Sequence, residues 1–267
     1  MAKKEFYIGW QDDTPLGFAK TGRKFVVIAI SIAMGFAYFF TQSERAFVDS
    51  YFDYGNLTEL QGQLVLDPVP ALIIYSDGKS ETVPLVGFGK YGALPALKAF
   101  EQKTGRTLNE GDKVTLRGTI FTYQDKRWME LTEGNQSVIG VPETSSLNRS
   151  IQDLGMLTLE GEIIDPKCFF GVMNPADKAV HRSCAIRCIS GGIPAILGIR
   201  ENGVFTDYYF LLDATGAQVG NEILPLVGIP VSVQGVAESV DGWKTLKIMP
   251  EKTEIALALS KSAKVCL

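Results

Sequence analysis

The longest uninterrupted apolar stretch, Phe25 to Phe40 (FVVIAISIAMGFAYFF), contains no charge and no proline. A helix over it would be apolar on every face, which fits a bilayer better than a soluble core. Sixteen helical residues reach about 24 Å at 1.5 Å per residue, and Gly22 before and Thr41 after can lengthen it toward the ~20 residues a membrane requires. Tyr38, Phe39 and Phe40 gather at one end, where aromatic rings favour the membrane interface. No small-residue cleavage site follows in TQSERAF, so the spacing predicts a retained transmembrane helix over 25–42 rather than a cleaved signal peptide. Lys3, Lys4, Lys20, Arg23 and Lys24 precede it, and only Arg45 follows within the next twenty residues. That asymmetry predicts a single-pass protein of the bacterial inner membrane, with residues 1–24 as a cytoplasmic tail and the bulk in the periplasm.

Beyond a stalk at 43–56 the pattern changes to period two, as in Val114/Leu116/Gly118/Ile120 and Val231/Val233/Gly235/Ala237. The chain also repeats itself. Leu60-Gln61-Gly62-Gln63-Leu64 resembles Leu159-Glu160-Gly161-Glu162-Ile163. Gly111 to Gly118 matches Gly228 to Gly235, and Trp128-Met129-Glu130-Leu131 matches Trp243-Lys244-Thr245-Leu246. Three blocks in one order argue for a duplicated domain. Asp241-Gly242 is a hairpin signal. Ala93 to Thr107 reads as a helix between the third and fourth strands, although Pro95 disturbs its start. Strands in that order, with a helix in that slot, predict an OB-like barrel. The fold class expected is all-β: two tandem OB-like five-stranded barrels, 57–143 and 152–258, behind one N-terminal transmembrane helix, with a tail at 259–267.

Charge narrows the partners. A net charge of −4 and a pI near 5.2 leave no basic footprint for nucleic acid. His181 is the single histidine, so no site needing two can exist, and no catalytic constellation is visible. No C-x-x-C-H haem-attachment motif occurs. Gly87-Phe88-Gly89-Lys90-Tyr91-Gly92 fits G-x-G-x-x-G, but no βα alternation follows. Turn glycines explain it better than a dinucleotide site.

The chemistry concentrates in an insertion after the first strand of the second barrel. Asp165-Pro166-Lys167-Cys168 is followed by His181-Arg182-Ser183-Cys184-Ala185-Ile186-Arg187-Cys188 and then Gly191-Gly192. Residues 178–189 can form a short helix capped by those glycines. His181, Cys184 and Cys188, at i, i+3 and i+7, then share one face, and Cys168 can reach it from the preceding loop. Three thiols and an imidazole would complete a tetrahedral set for one zinc, copper or iron ion, with Arg182 and Arg187 favouring thiolates. A disulfide from Cys168 to Cys184 or Cys188, leaving one thiol over, is the reading that an oxidising side favours. Redox-active thiols are a third, although C-x-x-x-C is not the thioredoxin-type spacing. Cys266 has no assignment.

On Gly161/Ile163/Asp165/Cys168, Cys184-Ala185/Cys188-Ile189/Gly192, Ala195-Ile196-Leu197 and the G-x-x-V-x-V-x-G of Gly228 to Gly235, the segment from Leu159 to about Ile248 resembles a poorly characterised family of exported bacterial OB-like domains. The resemblance implies fold and export rather than an activity. With its anchor, tail and extra barrel the whole chain looks like an accessory subunit of a membrane respiratory or electron-transfer complex. The expected function is therefore a non-catalytic, membrane-anchored periplasmic subunit that docks or stabilises its partners. Trp10 in the tail and Tyr51, Phe52 and Tyr54 in the stalk are its candidate partner contacts. A periplasmic metal-binding or thiol-redox protein using the cysteine cluster is the alternative.

Overall fold

The computed structural model describes residues 14–43, 50–76, 78–144, 146–171, 173–248 and 254–255; Trp10, Arg45 and Cys266 lie outside them. The chain divides into two compact units, Met1–Phe47 and Val48–Leu267.

The first unit is a single helix, α1 (Leu16–Ser43), of 28 residues, about 42 Å long at 1.5 Å per residue. It begins at Leu16 rather than near Phe25. Pro15 suits a helix start, and Lys20, Arg23 and Lys24 are good helix formers that carry the helix into the basic segment. None of its residues is buried. Its hydroxyls bond back to its own carbonyls, Thr21 Oγ1 to Gly17 O at 3.1 Å and Ser31 Oγ to Val27 O at 2.8 Å. That leaves them satisfied without water, as a hydrocarbon environment demands. By length and composition α1 can cross a membrane.

The second unit holds two closed barrels of the same topology. The first is built from β2 (Thr58–Val65), β3 (Ala71–Ser76), β4 (Lys79–Gly87), β5 (Asp112–Tyr123) and β6 (Lys126–Leu131). Antiparallel pairs β2–β3, β3–β4, β5–β6 and β5–β2, with a parallel β4–β6 pair, close the ring, and β7 (Val138–Thr144) adds antiparallel to β5. Helix α2 (Leu94–Thr104) sits between its third and fourth strands. Pro95 does not disturb it, because a first-turn proline lacks only an N–H that would have no partner anyway. Gly105, left-handed at φ 69°, closes the helix by donating to Glu101 O at 2.8 Å. The second barrel repeats this ring with β8 (Ile151–Ile164), β9 (Ile196–Glu201), β10 (Val204–Leu212), β11 (Pro230–Val240) and β12 (Trp243–Ile248). There a short 3-10 turn, Asn221–Leu226, replaces the helix, with Pro225 inside it. The ring order, with its single parallel closure, is that of an OB-like barrel. Each barrel fills its interior from inward-facing alternate residues, Leu64, Leu116 and Met129 in one and Ile163, Val233 and Leu246 in the other.

The duplication is visible in atomic detail. A Cβ on Gly62 would lie 2.4 Å from Ile73 O, and one on Gly161 would lie 2.4 Å from Gly198 O. These carbonyls are equivalent, since Gln63 pairs with Ile73 and Glu162 with Gly198. Gly118 and Gly235 stand equally far from their hairpin ends, Tyr123 and Val240. The tryptophans share a strand but not a register. Trp128 opposes Phe121, whereas Trp243 opposes Val240 at the turn itself. Asp241 and Gly242, at φ 51° and 85°, form the expected hairpin turn.

The stalk also differs from the sequence expectation. Residues of the expected stalk form β1 (Ser50–Phe52), which pairs antiparallel with β5. Phe52 stacks on Phe121 with ring centroids 5.3 Å apart, so it belongs to the core edge. Tyr51 and Tyr54 remain exposed. The two barrels pack on one another. Phe121 and Trp128 of the first and Phe170, Phe210 and Trp243 of the second share one buried aromatic cluster. There Trp128 and Trp243 meet edge to face at 5.4 Å, a favoured ring geometry. Trp243 Nε1 donates to Thr82 O at 3.0 Å, and Arg149 bridges to Asp241 at 2.7 Å.

Candidate metal site between the barrels

Strand β8 runs directly into the site. Asp165 is the N-cap of α3 (Pro166–Phe170), its Oδ1 accepting from Lys167 N at 3.0 Å and Cys168 N at 3.2 Å. Proline at the first helical position has the backbone angle this turn needs. The cap fixes Cys168 beside the carboxylate, while Phe169 and Phe170 plug into the aromatic cluster. Helix α4 (Lys178–Ser190) then presents His181, Cys184 and Cys188, with His181 and Cys188 buried. Gly191 ends it by donating to Arg187 O and Cys188 O, as the sequence predicts.

All three thiols come together. The sulfurs of Cys168, Cys184 and Cys188 lie within 4.8 Å of one another. All three are free, and the Cys168–Cys184 separation of 3.9 Å is about twice a disulfide bond. The disulfide staple is therefore not formed in this structure. His181 does not complete the thiol set as expected. It forms a second group with Asp165 and Cys168, again within 4.8 Å. His181 Nε2 stands 3.5 Å from Asp165 Oδ2, and these two buried atoms have no hydrogen-bond partner. The four expected ligands thus resolve into two triads that share Cys168, and Asp165 enters the second. The expected site omitted Asp165, although an aspartate before Pro166 was a capping signal that could have placed it.

The positive charge at the thiols comes from the other barrel. Lys90 Nζ lies 2.7 Å from Cys184 Sγ and 3.8 Å from Cys188 Sγ. Its hydrogen bond to Cys184 raises the Lys90 pKa against the opposing effect of burial. The Cys188 thiol is held below its ordinary value by a hydrogen bond from Cys168, with help from the Lys90 charge. That bond, burial and the Asp165 carboxylate push Cys168 upward. Arg182, expected to favour the thiolates, is turned away to Val227 O at 2.9 Å and Pro225 O at 2.8 Å. Arg187 lines an open cleft with Lys90, Tyr91 and Ser190.

The glycine motif supplies the cradle for this contact. Gly92 N donates to Gly191 O at 3.0 Å. A Cβ on Gly92 would sit 2.1 Å from Gly192 O, and one on Gly191 only 1.9 Å from Lys90 O. Lys167 Nζ completes the seam, donating to Gly87 O at 2.7 Å, Gly89 O at 2.6 Å and the buried Glu130 carboxylate at 3.0 Å. The loop 87–92 thus receives the cysteine insertion.

Sulfur, imidazole and carboxylate donors in these groups can hold a metal ion. No known protein family, characterised protein or solved structure matches this chain.

Proposed function

We propose that this chain is a membrane-tethered metal-binding protein that takes a soft ion, zinc(II) or copper(I), on the thiolates of Cys168, Cys184 and Cys188. The convergence of three free sulfurs within 4.8 Å carries the reading. Thiolates select such ions, and Lys90 offsets part of the charge they would bring. The charge asymmetry around α1 supports an oxidising location for the barrels. Three clustered thiols persist in that setting when an ion occupies them. The test is to purify the full chain anaerobically in detergent, measure its metals, and titrate its thiols before and after chelation. At least one zinc or copper per chain, masking the thiols until chelation, is expected. Protein that takes up neither ion and carries oxidised cysteines overturns the reading in favour of thiol redox chemistry.

A second reading, an accessory subunit of a respiratory or electron-transfer complex of the bacterial inner membrane, is favoured by exposed aromatics. Tyr51 and Tyr54 are 61% and 89% exposed at the start of the first barrel, and aromatic side chains anchor interfaces at little entropic cost. Crosslinking in native membranes should capture a partner, and the pair Tyr51→Ser and Tyr54→Ser should lose it. A monodisperse monomer with no crosslinked product refutes this second reading alone.

A further inference from the structure

We infer that Asp165, His181 and Cys168 form a second ion subsite beside the three-thiolate one, the two joined through the Cys168 sulfur. The inference rests on the metal-binding reading and extends it from one ion to a thiolate-bridged pair. The geometry points there because the donor atoms fall into two compact triads with one common member. A thiolate sulfur has lone pairs enough to serve both ions.

The second triad is also incomplete as a piece of protein. Asp165 is fully buried and His181 is 4% exposed, yet Asp165 Oδ2 and His181 Nε2 have no hydrogen-bond partner. Buried polar atoms are rarely left so. Asp165 spends Oδ1 on capping α3, which leaves Oδ2 directed at the imidazole. The neighbouring cations are committed elsewhere. Lys90 binds Cys184, Lys167 binds Glu130, Arg182 binds main-chain carbonyls, and Arg200 pairs with Asp177 and Glu162. Among the described residues none of these four makes a hydrogen bond or ion pair with Asp165. A metal ion between Oδ2, Nε2 and the Cys168 sulfur would satisfy both orphaned atoms at once. The two subsites differ in chemistry. One offers sulfur alone, and the other mixes sulfur, nitrogen and oxygen, a set suited to a borderline ion such as zinc(II).

The experiment loads the full chain in detergent with excess cadmium(II) in a phosphine-reduced buffer, removes free metal, and combines elemental analysis with cadmium NMR. Wild type should retain two ions per chain and show two resonances, one from an all-sulfur site and one from a mixed site. Asp165→Asn keeps an acceptor for the α3 cap but removes the anionic donor, and His181→Ala removes the imidazole. Each should lose the mixed-site resonance and keep one ion on sulfur. A single ion in wild type, with its resonance shifted by His181→Ala, overturns the inference and leaves a mononuclear site. No retained cadmium overturns the metal-binding reading as well.

Discussion

Loss of Lys167, next to Cys168, should be felt strongly. Its ammonium makes bonds to two loop carbonyls and to Glu130, and the two charged side chains are 10% and 8% exposed. Lys167→Met leaves the Glu130 carboxylate buried with only the long 3.3 Å bond from Gly89 N. Removing one partner of a buried ion pair costs about 3–5 kcal/mol. For a folded unit of this size, about 2–4 °C of midpoint accompanies each kcal/mol, so the thermal midpoint should fall by roughly 6–20 °C. The assay is thermal unfolding of the full chain in detergent, followed by near-ultraviolet circular dichroism, which reports on the aromatic cluster between the barrels. Adding Glu130→Gln removes the stranded charge, and the double variant should recover a large part of the loss. A single variant within about 0.5 kcal/mol of wild type, or a double variant no better than the single, refutes the claim that this seam is desolvated.

Other outcomes follow from the same contacts. Trp128 Nε1 is buried without a partner, so Trp128→Phe should cost little, because it removes an unsatisfied donor along with some area. Trp128→Ala should cost about 3–5 kcal/mol in denaturant unfolding, and equal losses for the two would contradict the orphaned indole. Gly92→Ala places a methyl 2.1 Å from Gly192 O and should lower stability by about 1–3 kcal/mol, read as faster limited proteolysis. Gly140→Ala, whose methyl would meet only Thr115 at 3.6 Å, is the control expected to keep wild-type resistance. In spheroplasts, external protease should remove the barrels and spare an N-terminal tag; protected barrels would reverse the proposed topology.

The elements set by local pattern were legible. Alternating residues such as Val114/Leu116 and Val231/Val233 do face barrel interiors, and Asp241-Gly242 does turn a hairpin. The cysteine cluster was legible because Cys184 and Cys188 are spaced helically on α4 and Cys168 lies in the segment just before it. What escaped depends on chain segments far apart in sequence. Lys90 meets Cys184 across 94 positions, and no periodicity carries such information. The stalk looked like a linker because three residues of β1 give too short an alternation to read, and only pairing with β5 makes them a strand. The division of the four expected ligands into two triads involves the α3 cap, which fixes Asp165 beside Cys168 and brings it into one group with His181.

The contact of Lys90 with the thiols makes the site a joint property of the two barrels. The sulfurs, the imidazole and the carboxylate all belong to the second copy of the barrel, but the ammonium and the glycine cradle belong to the first. Neither barrel alone holds all of these parts, so the second is the holder of donors and the first the provider of charge and shape.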